Sequence, residues 1–238
     1  MKERKYIIVI TIILCLFGIV MIYSASNVWA LYKFGNSFKY VIHQTLYFVL
    51  GIILLKIISN INYKLYKEKA NIILGICFLL LLLVLIPFIG TVRNGSRSWF
   101  GIGPFGVQPS ELSKIGLVIF TSYYLSKNNK NKKETKGYVL PILAVIMVFF
   151  FIIMLEPDFG SGAVIVFSLL MLIIVTGTPL GIFIKLGIAG LIGITGIVLV
   201  APYRLKRITS FINPWNDPLG SGFQIIQSLY ALGPGELL

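Results

Sequence analysis

The stretch Asn71-Ile72-Ile73-Leu74-Gly75-Ile76-Cys77-Phe78-Leu79-Leu80-Leu81-Leu82-Leu83-Val84-Leu85-Ile86-Pro87-Phe88-Ile89-Gly90 contains no charged residue. About 20 apolar residues in a helix cross the roughly 30 Å hydrocarbon core of a bilayer. In lipid every backbone N–H and C=O must be paired within the segment, so a run of this kind has to be a helix. The pattern recurs along the chain, at 6–25, 40–59, 110–126, 138–155, 160–177 and 180–201. With 71–90 these make seven expected spans, the fourth being the least apolar because Glu111 and Lys114 open it. The sequence therefore predicts an all-α fold, a polytopic transmembrane helical bundle.

Composition agrees. Hydrophobic residues are 57% and charged residues 12% of the chain, against roughly 25% charged in soluble domains, and mean hydropathy is +0.91. Residues 1–201 read as one membrane domain, with no soluble domain left over. The net charge of +13, from 21 basic and 8 acidic residues, would suggest nucleic acid as a partner in a soluble protein. Here the basic residues lie mostly between apolar runs, so membrane topology explains them and no nucleic acid is expected. Segments 1–5, 56–70 and 126–137 carry the larger share of Lys and Arg, which places them and the N-terminus in the cytoplasm. The run after Lys5 is longer than a signal-peptide core and further spans follow, so it reads as a retained helix.

Cys15 and Cys77 fall inside apolar runs and read as packing residues. His43 stands alone, without the His/Cys cluster a metal site needs, and its expected role is a polar contact between helices. Residues 202–238 are broken by Pro202, Pro214, Pro218 and Pro234. Within them Phe223–Leu232 is too short to span. Ile226, Leu229 and Tyr230 share one side of it, as expected of an interfacial helix.

Three polar segments, all on the expected outer side, are left to carry chemistry. In the first, Asn94-Gly95-Ser96-Arg97-Ser98-Trp99 leads to Gln108-Pro109-Ser110-Glu111-Leu112-Ser113-Lys114. The plain structural reading is a helix capped by Ser110, an ion pair between Glu111 and Lys114, and interface anchors at Arg97 and Trp99. Against it, an acid and a base at the mouth of a span are costly unless they line a wet cavity. In the second, Glu156-Pro157-Asp158-Phe159-Gly160, Asp158 suits an N-cap. The paired acids also suit general acid–base work or a divalent cation. The third places Arg204, Lys206 and Arg207 where cations are disfavoured, which head-group anchoring or a phosphorylated lipid head group would explain.

Taken together these segments resemble the SEDS family of membrane-embedded peptidoglycan glycosyltransferases (FtsW, RodA and SpoVE). The resemblance rests on Asn94-Gly95 with Arg97-Ser98-Trp99, on Gln108 through Lys114, on Glu156-Pro157-Asp158-Phe159-Gly160, and on Arg207 through Asn213-Pro214-Trp215 to Gln224-Ile225-Ile226-Gln227-Ser228. The wording at Asn213-Pro214-Trp215 and Gly233-Pro234-Gly235-Glu236-Leu237 is closer to FtsW and SpoVE than to RodA. The resemblance implies lipid II as substrate and a reaction in which an acceptor sugar's 4-hydroxyl displaces a lipid pyrophosphate. It implies as substrate-binding candidates Arg97, Trp99, Gln108, Glu111, Lys114, Asp158, Arg204 and Arg207. It implies as partners a class B penicillin-binding protein and other division or sporulation proteins, in a bacterial cytoplasmic membrane. A divalent cation is compatible with diphosphate chemistry, though no ligand set is visible. Family members have about ten spans, and their essential acid sits in a Thr-Asp-Phe-like motif in a large outer loop. The sequence reaches Leu238 before such a motif, so the expectation is an N-terminal fragment whose residues 202–238 begin that loop. A lipid II flippase, or a non-catalytic remnant or scaffold, are the alternative readings, and division, elongation and sporulation roles stay open.

Overall fold

The computed structural model describes residues 2–93, 95–101, 106–128, 135–200, 210–220 and 222–233. The elements run α1 (Lys2–Phe34), α2 (Lys39–Ser59), α3 (Tyr63–Glu68), α4 (Ala70–Leu85), β1 (Thr91–Arg93), β2 (Ser96–Trp99), α5 (Pro109–Asn128), α6 (Thr135–Leu155), α7 (Phe159–Val175) and α8 (Leu180–Val200), then a 3-10 turn (Pro214–Asn216) and α9 (Phe223–Leu232). The chain divides into two compact units, residues 1–71 and 72–238.

In the first unit α1 and α2 pair as a helical hairpin. Gly35, at φ +68°, ends α1 in the left-handed conformation that a residue without Cβ adopts freely, and its N–H donates to Leu31 O over 2.8 Å. Aromatic and cationic side chains gather at this elbow. Lys39 Nζ lies 3.3 Å from the Phe34 ring centre, Lys33 Nζ lies 5.7 Å from that of Trp29, and Tyr23 stacks on Phe38 at 5.0 Å. Such residues settle where lipid meets water. Both helices are long and apolar enough to cross a membrane, and no residue of α2 is buried within the chain. Apolar side chains left uncovered all round a helix have lipid as their solvent. The expected interhelical role of His43 is not what the structure shows: its Nδ1 donates to Lys39 O, 2.9 Å away in its own helix.

The core of the second unit is apolar and helical. Leu81 of α4, Leu117 of α5, Ile142, Ile146 and Ile153 of α6, and Ile165, Leu169 and Ile173 of α7 are buried together. Small residues bring backbones close, as is usual where helices pack in lipid. A Cβ on Gly116 would lie 2.6 Å from Cys77 Sγ, and one on Gly162 would lie 3.0 Å from the Phe150 ring. Cys77 is thus the packing residue its sequence context predicts.

Each expected span overlaps a helix; α1 runs on from the expected end at 25 to Phe34, and the other ends shift by a few residues. The largest change at a C-terminal boundary in this unit is at 71–90. There α4 stops at Leu85, two residues before Pro87, whose ring disfavours helix at the preceding residue. The chain then doubles back so tightly that a Cβ on Gly90 would overlap the Val84 carbonyl oxygen.

One element lies outside the all-helical expectation, the antiparallel hairpin β1–β2. Arg93 pairs with Ser96, Val92 with Arg97 and Thr91 with Trp99, with a bulge between Thr91 and Val92. Gly95 has φ +82°, as tight two-residue hairpins require. A bridge between Phe100 and Val107, each N–H donating to the other's oxygen over 2.8 Å, leads the chain to α5.

Candidate functional site

The first two polar segments, some fifty to sixty residues apart in sequence, meet at one end of the second unit's helices. Successive strand residues point to opposite faces, and β2 uses this to separate its polar types. Ser96 and Ser98 share one face, and their hydroxyl oxygens are 3.0 Å apart. The Ser96 hydroxyl donates to the backbone oxygen of Glu156 in the turn between α6 and α7. A hydroxyl carries one proton, so Ser98 is the donor within the serine pair. Arg97 and Trp99 take the alternate positions. The Arg97 stem lies near Gly90, and the Arg93 guanidinium sits over the Trp99 ring at 4.9 Å.

A second tie joins the start of α5 to the same turn. Gln108 Nε2 donates to Asp158 Oδ2 over 2.7 Å. The other oxygen, Oδ1, accepts the Ser161 N–H at 3.2 Å, so Asp158 caps α7 as its sequence position predicts. The cap expected of Ser110 is not formed. Pro109 takes the first helical position, where a missing N–H costs nothing, and Ser110 falls inside α5, fully buried, its hydroxyl unpartnered among the described residues.

Glu156 lies beneath the hairpin with none of its surface exposed, and both carboxyl oxygens lack a hydrogen-bond partner among the described residues. The turn that holds it is outside the helical spans. Burial first, and the neighbouring Asp158 charge second, push its pKa up to about 8, so at neutral pH the acid is mostly protonated. The cluster therefore sets a neutral acid beside an anchored carboxylate. Glu111 and Lys114, by contrast, pair with each other at 2.7 Å on an accessible side of α5, with Glu111 55% and Lys114 29% exposed.

Of the sequence candidates, the structure joins Gln108 to Asp158 directly, pairs Glu111 with Lys114, and sets Trp99 against Arg93. Arg204 and Arg207 lie outside the described residues. Ser96 and Arg93 were not among the candidates, and Glu156 entered only as one of the paired acids of its turn. The signal for Glu156 was its place with Asp158 in the short turn between two apolar runs. Among the described residues no three His, Cys, Asp or Glu side chains gather as a metal site.

Fold and site together define a polytopic helical protein with a polar cluster built where a hairpin, a helix start and an interhelical turn converge. The profile of the FtsW/RodA/SpoVE family, described as cell cycle protein, matches residues 4–238, and the chain belongs to that family. It is 48% identical over 231 residues to stage V sporulation protein E of Bacillus subtilis (strain 168), covering 97% of this chain and 63% of that protein. It is 34% identical over 229 residues to the probable peptidoglycan glycosyltransferase FtsW of Geobacter sp. (strain M18), covering 96% and 62%. Among solved structures, a chain of a peptidoglycan synthase complex that coordinates polymerization and crosslinking aligns with a TM-score of 0.67 at 28% identity, covering 90% of this chain and 64% of that one. The rod shape determining protein RodA of Thermus thermophilus aligns with a TM-score of 0.54 at 26% identity, covering 75% and 58%. The chain thus spans less than two thirds of the length of each of these relatives.

Proposed function

We propose that this chain forms the lipid II-binding wall of a peptidoglycan glycosyltransferase in the cytoplasmic membrane of a bacterium. On this reading residues 1–201 are a seven-span membrane domain with a cytoplasmic N-terminus, and residues 202–238 open an outer loop. The observation that carries it is the convergence of the hairpin, the start of α5 and the α6–α7 turn, tied by Gln108–Asp158 and Ser96–Glu156. The names of the relatives, glycosyltransferase and peptidoglycan synthase, support the substrate class.

Joining an acceptor 4-hydroxyl to the donor sugar, with loss of a lipid pyrophosphate, calls for proton acceptance from the hydroxyl and positive charge at the departing diphosphate. Arg97 and Lys114, with Arg204 and Arg207, are the cations we assign to the diphosphate. Asp158, Gln108, Glu111 and Trp99 are assigned to the sugar. A class B penicillin-binding protein, which would crosslink the strand, is the partner we infer.

The test is lipid II binding to the purified chain in nanodiscs, paired with a chimera in which this chain replaces the matching part of the B. subtilis relative. Saturable binding, and glycan strands from the chimera that are lost on Asp158→Asn, are the expected results. Binding no better than to empty nanodiscs would overturn the proposal. Movement of labelled lipid II across liposomes without strand growth would support a transporter instead.

A further inference from the structure

The geometry around Glu156 asks for a proton. A buried carboxylate needs donors, and the described residues give neither oxygen one. Four neighbouring donors are engaged elsewhere, and the Ser110 hydroxyl at the start of α5, unpartnered among the described residues, makes no bond to Glu156. Ser96 gives its proton to the Glu156 backbone oxygen, Ser98 gives its own to Ser96, and Gln108 and the Ser161 N–H serve Asp158. The charged groups on the surrounding elements are Arg93 and Arg97 on the hairpin, Glu111 and Lys114 on α5, and Asp158 in the turn. Arg93 covers Trp99, and Glu111 and Lys114 hold each other. Among the described residues, burial acts on the Glu156 proton first and the like charge of Asp158 second. Two adjacent carboxylates with one set of donors between them favour one charge and one neutral acid.

We propose that Glu156 is held as a neutral carboxylic acid beneath the Ser96–Ser98 strand and serves as a positioning residue for Asp158. The turn's single negative charge then stays on the carboxylate that Gln108 and Ser161 orient. Were Glu156 ionised, two like charges would repel each other within the α6–α7 turn on which Ser96 of the hairpin is anchored. The inference deepens the proposed site and rests on it for the use of Asp158, but its test reads the proton itself.

The pH dependence follows from linkage. The unfolded chain gives up this proton near 4.5 and the folded one near 8, so between those values the folded state holds more protons. Stability from this group is complete below 4.5, falls as pH rises by up to about tenfold in the folding equilibrium per pH unit, and levels off above about 8.

The experiment uses the full chain in nanodiscs, as wild type and Glu156→Gln, which copies the size and neutrality of the acid. Infrared difference spectra between pH 6 and pH 10, with carbon-13-labelled glutamate, should show a protonated carboxyl stretch in wild type that Glu156→Gln lacks. Thermal unfolding of Glu156→Gln should exceed that of wild type by a margin that widens from pH 5 to pH 8. Absence of the band from wild type at pH 6, its persistence in Glu156→Gln, or parallel unfolding profiles would overturn the proposal. So would failure of Glu156→Gln to fold, because the proposal requires that glutamine be accepted. Loss of lipid II binding with the band intact would strike the reading of the site and leave this inference standing.

Discussion

Gln108 and Asp158 are joined by a 2.7 Å hydrogen bond that spans fifty residues of sequence and fastens the start of α5 to the cap of α7. Its donor is a neutral amide and its acceptor a carboxylate, so it belongs to the stronger, charge-assisted kind. Gln108→Leu should lower stability by about 1.5–3 kcal/mol, the range for bonds to charged groups. Gln108→Glu should be worse at neutral pH and recover on acidification, as protonation relieves the repulsion. Unfolding temperatures of the two variants across pH 4–7 check both.

The Glu111–Lys114 pair is accessible and lies within one helical turn. Such pairs contribute about 0.5 kcal/mol or less, so Lys114→Met should barely change the unfolding temperature. If Lys114 meets the diphosphate, the same variant should weaken lipid II binding by about tenfold or more, the worth of one charge-assisted contact. Equal binding by wild type and Lys114→Met would remove Lys114 from the site.

Gly116 touches Cys77 so closely that a methyl group does not fit between α4 and α5. Gly116→Ala should cost about 1–3 kcal/mol through overpacking. Adding Cys77→Ala empties the space that the new methyl needs, so the double variant should be less destabilised than the two single effects summed. A double-mutant cycle on unfolding temperature reads that coupling directly.

Asp158 is the like charge acting on Glu156, so Asp158→Asn should bring the Glu156 pKa down from about 8 toward the ordinary carboxylate value. With the folded pKa lowered, the interval over which stability falls with rising pH shortens from its alkaline end. Unfolding of Asp158→Asn should therefore become insensitive to pH at a lower pH than in wild type. An unchanged endpoint would mean that burial alone sets the Glu156 proton.

The helices were legible because lipid demands one local property of each span, an apolar run, and leaves little else to decide. Local side-chain relations were legible for the same reason: Asp158 as a cap and Glu111 with Lys114 as a pair depend on residues three apart. The hairpin was also written locally, in Asn94-Gly95 between Thr91-Val92-Arg93 and Ser96-Arg97-Ser98-Trp99. The apolar run through Ile89 masked it, since hydropathy continues past Pro87 although the helix does not. Ser110 shows the reverse error, a good capping type displaced inward because Pro109 begins the helix. What no window of sequence contains is the meeting of Ser96 with Glu156, sixty residues away. That contact depends on how α5, α6 and α7 pack, and so does the complete burial of an acid that the sequence shows only as one of a pair in a short turn.

α1, at 33 residues, has a length of about 50 Å at 1.5 Å per residue. A hydrocarbon slab of roughly 30 Å cannot contain it at the usual lean of about 20°. Its last turns must therefore stand clear of the acyl chains as a short stalk, with Trp29, Lys33 and Phe34 as its collar.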